Sequence, residues 1–143
     1  MNLRWIVATF HLLVLPLGLG AVWMRARALA RVTGNESLGR IFVADTVWGV
    51  AALLWIATGL WRVWTFYYSH DHAFRIKMGL LVLILLLEIW PMTTLIRWRI
   101  RVRSDPAVDV RVAPLLARVS YAQAGLVILM VFAATAVARG YFY

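Results

Sequence analysis

Residues 74–97 read FRIKMGLLVLILLLEIWPMTTLIR. At ~1.5 Å per residue, a helix of this stretch is long enough to cross ~30 Å of hydrocarbon. Two charged side chains, Lys77 and Glu88, nevertheless lie within it. A charge near the centre of a bilayer costs at least ~2.5 kcal/mol, so both side chains should face other helices or water. The stretch therefore predicts a membrane-spanning helix that needs polar partners at two depths.

The whole chain has the composition of an integral membrane protein. Of its 143 residues, 64% are hydrophobic and six are acidic, which excludes an ordinary soluble domain. Apolar runs predict helices at about 4–31, 39–65, 73–103 and 112–139. Because their connections are short, we predict one membrane domain over residues 1–143, an all-α, four-transmembrane-helix up-down bundle in a lipid bilayer. The chain contains no cysteine, so disulfides and thiolate chemistry are excluded.

The net charge of +9 is carried by bases that flank the apolar runs and do not line one amphipathic face. This pattern is typical of loops beside anionic lipid, and it argues against nucleic acid as a partner. Ten bases fall at the end of the bundle with the first and third connections, and five fall at the other end. The positive-inside rule then places both termini on the outer side of the membrane.

Buried polar residues are predicted in two tiers. His11 and Lys77 each lie roughly 7–10 Å below the same outer surface at ~1.5 Å per residue, so they share a depth. The deeper tier comprises Asp45, Glu88, Arg118 and Gln123, with Arg40 at its edge. We interpret the deeper tier as a buried acid–base cluster that fixes helix register. The alternative is a proton path, in which Asp45, Glu88 and Lys77 are the catalytic candidates.

His11 and Lys77 each have a chemical and a structural interpretation. Imidazole is the usual axial donor to haem iron and a good ligand for copper or zinc. Alternatively, His11 donates a hydrogen bond to a neighbouring helix. A buried Lys77 would supply a neutral amine that ligates a metal or acts as a base, whereas a shallow one extends its ammonium to the interface.

The second connection contains a candidate metal site. Residues 70–72 read His-Asp-His, and His70 and His72 could hold a metal together with His11. The alternative is a hydrated loop with no ligand.

Small residues in the second run predict a helix-packing face. Gly49, Ala52 and Gly59 recur at a spacing that places them on one side of a helix. Small side chains let helix backbones approach closely, so we expect this face to be an interhelical seam.

Three segments carry a family resemblance: ATFHLLVLPLGLGAVWMRARAL, ADTVWGVAALLWIATGLWRV and HAFRIKMGLLVLILLLEIWPMTTLIRWR. Together they resemble a bacterial domain-of-unknown-function family of predicted four-helix inner-membrane proteins. The resemblance implies a multi-pass protein of the bacterial inner membrane and no activity. In that membrane, the count of bases above predicts that both termini lie in the periplasm.

A second, more distant resemblance implies a cofactor. A histidine early in helix one and an Ile-Lys pair near the start of helix three resemble the HemJ-type membrane protoporphyrinogen oxidases. Those proteins bind haem b through a histidine and a lysine. The matching positions are His11 and Lys77, with Arg25 in the place of an arginine at the end of helix one.

The leading hypothesis is a membrane redox protein with one b-type haem in the outer half of the bundle. His11 would be the axial ligand, and Lys77 either the opposite ligand or a propionate partner. A more specific form of this hypothesis is that the protein oxidises a porphyrinogen or a quinol. One alternative is a non-catalytic scaffold or accessory subunit of a membrane complex. A second is a metal-handling or transport protein, which could work as a homo-oligomer.

Overall fold

The computed structural model of the chain describes residues 3–66, 72–104 and 107–138, without the side chains of residues 66, 72, 73 and 136–138. These ranges form four α-helices: α1 (Leu3–Ala30), α2 (Asn35–Phe66), α3 (His72–Arg101) and α4 (Ala113–Ala138). All four are long and apolar enough to cross a membrane. The predicted class, an all-α four-helix membrane bundle, is confirmed.

The first turn of α2 explains why this helix begins at Asn35, before the predicted start at 39. The Ser37 hydroxyl donates to the Gly34 carbonyl at 2.7 Å and accepts the Thr33 N–H at 3.4 Å. These bonds tie the first turn of α2 to the two residues that precede it. Residues 31–34 are therefore enough to reverse the chain between α1 and α2.

The four helices do not contact one another equally. Helix α1 packs along both α2 and α4, and α4 also packs against α3. Helices α2 and α3 are the neighbours that touch least. The bundle therefore has a weakly closed side, which we call the α2–α3 seam.

Two apolar clusters fill the interior. The first lies near the α1–α2 and α3–α4 connections and includes Leu29, Leu38, Ile41, Leu95, Trp98 and Leu116. The second lies further along the bundle and includes Val22, Trp48, Ile84, Ala124, Val127 and Met130. Large apolar side chains also cover the outside, where Leu13, Leu53 and Phe132 are each more than 60% exposed. An outer surface of this kind suits contact with lipid.

The buried face of α2 differs from the predicted seam. Gly49 is exposed and has open space where a Cβ would lie, so its assignment to the seam was wrong. The buried positions are Ile41, Ala44, Trp48 and Ala51. Their spacing of three and four residues follows the helix period, and Gly49 falls just outside that stripe. Gly59 does lie at an interface, because a Cβ there would be 3.4 Å from the His11 ring.

The α3–α4 connection is tied down at two points. The buried Val108 donates its N–H to the Asn35 side chain at 3.1 Å, which joins this connection to the start of α2. Asp109 accepts side-chain and backbone hydrogen bonds from Arg111, and these bonds lower the pKa of Asp109 to about 2. Asp109 therefore stays ionised through the mildly acidic range.

Candidate functional site

A buried guanidinium on α1 joins all four helices. Nε of Arg25 donates to the Ser120 hydroxyl at 3.2 Å. Its Nη1 donates to Asp45 at 2.9 Å and to Glu88 at 2.7 Å. Its Nη2 donates to Glu88 and to Gln123, both at 2.8 Å. All five N–H groups of the side chain are used, and Arg25 is fully buried. We call these five residues the Arg25 centre.

A second arginine connects this centre to the surface. Nη2 of Arg99 donates to Asp45 at 2.9 Å and to the Phe42 carbonyl at 2.8 Å. Its guanidinium also lies over the Phe42 ring, 5.1 Å from the ring centroid. Two arginines thus face two carboxylates, Asp45 and Glu88, so formal charges balance. Such pairing is what buried charges require in a low-dielectric interior.

The His11 imidazole is hydrogen-bonded to Thr58 on α2. Nδ1 of His11 lies 2.7 Å from the Thr58 hydroxyl oxygen. That oxygen also lies 2.8 Å from the Leu54 carbonyl and 3.1 Å from the Trp55 carbonyl; with its single hydrogen assigned to Leu54, it accepts from Nδ1–H. This assignment follows from the hydrogen-bond network and leaves the lone pair of the neutral ring on Nε2. His11 therefore offers Nε2 as its donor atom.

Packing fixes the orientation of the same ring. The imidazole stacks on Trp55, with the ring centroids 5.3 Å apart and the planes 16° from parallel. Gly59 lies beside Cε1, where a larger side chain would press on the ring. His11 is 8% exposed. The indole Nε1 of Trp55 is buried and has no hydrogen-bond acceptor among the residues that the structure describes. We call His11, Trp55, Thr58 and Gly59 the His11 group.

A cavity of about 50 Å³ lies between the His11 group and the Arg25 centre. Residues from all four helices line it, among them Gly18, Trp48, Ala52, Trp55, Leu81 and Glu88. At ~10–15 Å³ per water on this measure, the cavity has room for about four waters, and it is about a third of the ~150 Å³ of an engineered cavity that binds benzene. It is several times too small for a porphyrin.

The family model described as "Predicted membrane protein (DUF2214)" matches residues 3–141 of the chain. The chain belongs to this family. Comparisons with curated proteins and with solved structures give no match. The resemblance to a membrane family of unknown function is thereby confirmed, and the resemblance of this DUF2214 protein to HemJ-type oxidases stays a prediction.

In the DUF2214 protein, three of the residues predicted for the deeper polar tier do lie together, but the base that they contact is not one of those predicted for it. Asp45, Glu88 and Gln123 come together as expected. Arg118 and Arg40 were assigned to this tier wrongly, because both are exposed. The base is Arg25, which the HemJ resemblance had suggested as a cofactor residue. Its five N–H groups are taken up by protein, so none is left for a haem propionate.

Lys77 lies near His11, together with a base that the sequence did not single out. The charges of Arg62 and Lys77 both act on His11, and Arg62 also acts on Lys77. Both basic side chains are half-buried. Within the described residues, neither forms an ion pair with a carboxylate. The predicted catalytic roles of Lys77, Glu88 and Asp45 stay predictions.

The predicted metal site falls mostly outside the described residues. His70 is not described, and His72 begins α3 without a described side chain. Within the part of the chain that is described, no three His, Cys, Asp or Glu side chains are grouped as they would be around a metal ion. A metal held by His11, His70 and His72 stays a prediction.

Proposed function

We propose that this DUF2214 protein is a membrane redox protein that binds one haem b through Nε2 of His11. One observation carries the proposal: Nδ1 of the buried imidazole lies 2.7 Å from the Thr58 hydroxyl oxygen, which leaves Nε2 as the donor atom in the tautomer assigned above. Histidines that ligate metals usually donate the other ring N–H to such a partner, which sets both tautomer and orientation. Stacking on Trp55 adds a rigid wall beside the ligand.

The neighbouring bases fit the rest of a haem. Arg62 and Lys77 would pair with the two propionates, or Lys77 would be the opposite axial ligand. The cavity is too small for a porphyrin and His11 does not line it, so haem would lie beyond the cavity. Bound there, haem would supply one-electron redox chemistry, and burial of its ligand would tune the potential.

An absorption spectrum of the detergent-purified protein, oxidised and then reduced with dithionite, tests this proposal. We expect a Soret band that sharpens and shifts on reduction and disappears in His11→Ala. Thr58→Val, which removes the acceptor for Nδ1–H, should weaken haem binding about 10–100-fold. Phe10→Ala is the matched control, because Phe10 is adjacent and 44% exposed. A colourless wild-type protein from haem-replete cells, or an unchanged band in a folded His11→Ala variant, would contradict the proposal.

A non-catalytic role is the second candidate, and the Arg25 centre favours it. A guanidinium with every N–H used by protein is a structural connector and has no free donor for a substrate. A colourless protein that co-purifies with a stable partner in mild detergent would support a scaffold or accessory subunit. Bound copper or zinc that is lost when His70 and His72 are changed would instead support metal handling.

We also propose that the protein lies in the bacterial inner membrane with both termini in the periplasm. Because Arg25 is buried, it drops out of the basic count, and nine bases against five still favour this orientation. The chain lacks cysteine, so Leu3→Cys and Ser104→Cys each carry a single thiol. We expect a membrane-impermeant maleimide to label Leu3→Cys in cells with a permeable outer membrane, and Ser104→Cys only after lysis. The reverse labelling would invert the topology.

A further inference from the structure

Two basic side chains on neighbouring helices have no acidic partner among the described residues. Arg62 lies four residues before the end of α2, and Lys77 lies five residues after the start of α3. The charge of Arg62 acts on Lys77, and both charges act on His11, so the two bases lie close together beside the imidazole. Both are half-buried, and neither pairs with a described carboxylate. Two like charges between helices are stabilised by an anion that both can contact.

The helix period places both bases on the faces that α2 and α3 turn toward the space between them. Arg62 follows Trp48 and Trp55 at intervals of seven residues, and Lys77 precedes Ile84 by seven. Seven residues make about two helix turns, so each base lies on the same helix face as those residues. Trp48, Trp55 and Ile84 all line the cavity between the helices. The two bases therefore lie at the end of the α2–α3 seam that is nearest the α2–α3 connection.

The surroundings of these bases fit the phosphate of a lipid better than a free anion. Guanidinium and ammonium groups both bind phosphate, and basic pockets between transmembrane helices bind anionic lipid headgroups. Each base lies roughly 6–8 Å inside a helix end, where side chains of this length reach the headgroup region. Deeper along the seam the side chains are apolar, and Ile56, Leu81 and Leu85 are at least partly exposed. A phospholipid offers both a phosphate and an acyl chain that covers these residues, whereas a free phosphate offers only the first.

We propose that an anionic phospholipid binds at this end of the α2–α3 seam, with its phosphate between Arg62 and Lys77 and one acyl chain along the seam. The lipid joins two helices that touch each other little. This inference does not rest on the proposed function, because the two bases attract an anion whether or not haem binds. Haem propionates would compete with the lipid for the same bases, so the experiment uses haem-free protein.

Native mass spectrometry of delipidated protein in detergent, from cells that cannot make haem, measures lipid binding. The probes are dioleoyl phosphatidylglycerol and dioleoyl phosphatidylcholine, which share their acyl chains and differ in net charge. Bases at the other end of the bundle also attract anionic lipid, so the readout is the difference between wild type and variant. We expect Arg62→Gln and Lys77→Gln each to weaken phosphatidylglycerol binding about fivefold, and the double variant about 25-fold. Phosphatidylcholine binding should change little.

Two further variants separate a built site from general surface charge. Arg75→Gln is the matched control, because Arg75 is also near the start of α3 but is exposed, and it should bind phosphatidylglycerol as wild type does. Lys77→Arg keeps the charge and should keep the binding, which a loss of packing alone would not allow. Far-UV circular dichroism checks that each variant is folded.

Three results would overturn the proposal. Equal losses in Arg75→Gln and Lys77→Gln would reduce the effect to general charge. A wild type with no preference for phosphatidylglycerol would mean that another anion, such as the carboxylate of Asp71 outside the described residues, already pairs with the bases. Displacement of the lipid by equimolar inorganic phosphate would assign the site to a free anion. Because the protein carries no haem, a colourless wild type would leave the lipid result standing, so the two proposals fail separately.

Discussion

Arg25→Ala is expected to lower the free energy of unfolding of the detergent-solubilised protein by about 3–5 kcal/mol, the usual cost of removing one partner from a buried ion pair. The side chain joins α1 to all three other helices through Asp45, Glu88, Ser120 and Gln123. Its removal leaves two partly buried carboxylates, of which Arg99 pairs only with Asp45. The loss should therefore exceed that of any single hydrogen bond in the bundle.

Unfolding in mixed micelles with increasing SDS, followed by far-UV circular dichroism, measures this effect. Arg27→Ala is the matched control, because Arg27 is also on α1 and is exposed. Arg25→Lys keeps the charge but cannot reproduce the two-pronged contact with Glu88, so we expect it to recover less than half of the loss. Equal stability of Arg25→Ala and Arg27→Ala would show that the centre contributes little to holding the helices together.

The class of fold could be predicted from hydropathy because a bilayer permits few alternatives. In lipid, a chain must satisfy its backbone within each span, which makes a long apolar run a helix almost by necessity. The first residue of α2 was harder to predict, since it depends on the Ser37 bonds to residues 33 and 34. Which side chains are buried was harder still to predict, because most lipid-facing and interior positions are equally apolar.

Glu88 within the third span was predicted correctly to need a partner, but that partner was not identified. Glu88 pairs with Arg25, which had been counted among the bases that flank the apolar runs. The helix period of α1 carries a usable signal, because its buried positions His11, Val14, Gly18, Val22, Arg25 and Leu29 form one stripe. Arg25 lies on that stripe, whereas Arg27 lies outside it. A charge on the same face as a buried histidine is a better candidate for the interior than its place in a basic tract suggests.

The His11 region shows a different limit. Its depth relative to Lys77 could be estimated by counting residues, and the two side chains do come within electrostatic range. The tautomer, however, depends on Thr58, which is 47 positions away in sequence. Arg62 was likewise counted only among the five bases at its end of the bundle, although its charge acts on both His11 and Lys77. Such contacts depend on how neighbouring helices are placed against one another, which the pattern along any one helix does not give.

The two carboxylates of the Arg25 centre should respond unequally to neutralisation. Glu88→Gln removes the carboxylate charge, leaves Arg25 one acceptor oxygen in place of two and weakens the Gln123 contact, so we expect a loss of about 3 kcal/mol in the free energy of unfolding.

Asp45→Asn should cost less, about 1–1.5 kcal/mol. Arg25 keeps its paired bonds to Glu88, and Arg99 keeps the Phe42 carbonyl. The same SDS titration compares the two variants, and Thr135→Val, at an exposed position on α4, is the control. If Asp45→Asn were the more damaging change, the pair that holds the bundle would be Asp45 with Arg99, and Arg25 would be secondary. The measured order therefore decides whether the connection between helices runs through the buried arginine or through the partly exposed one.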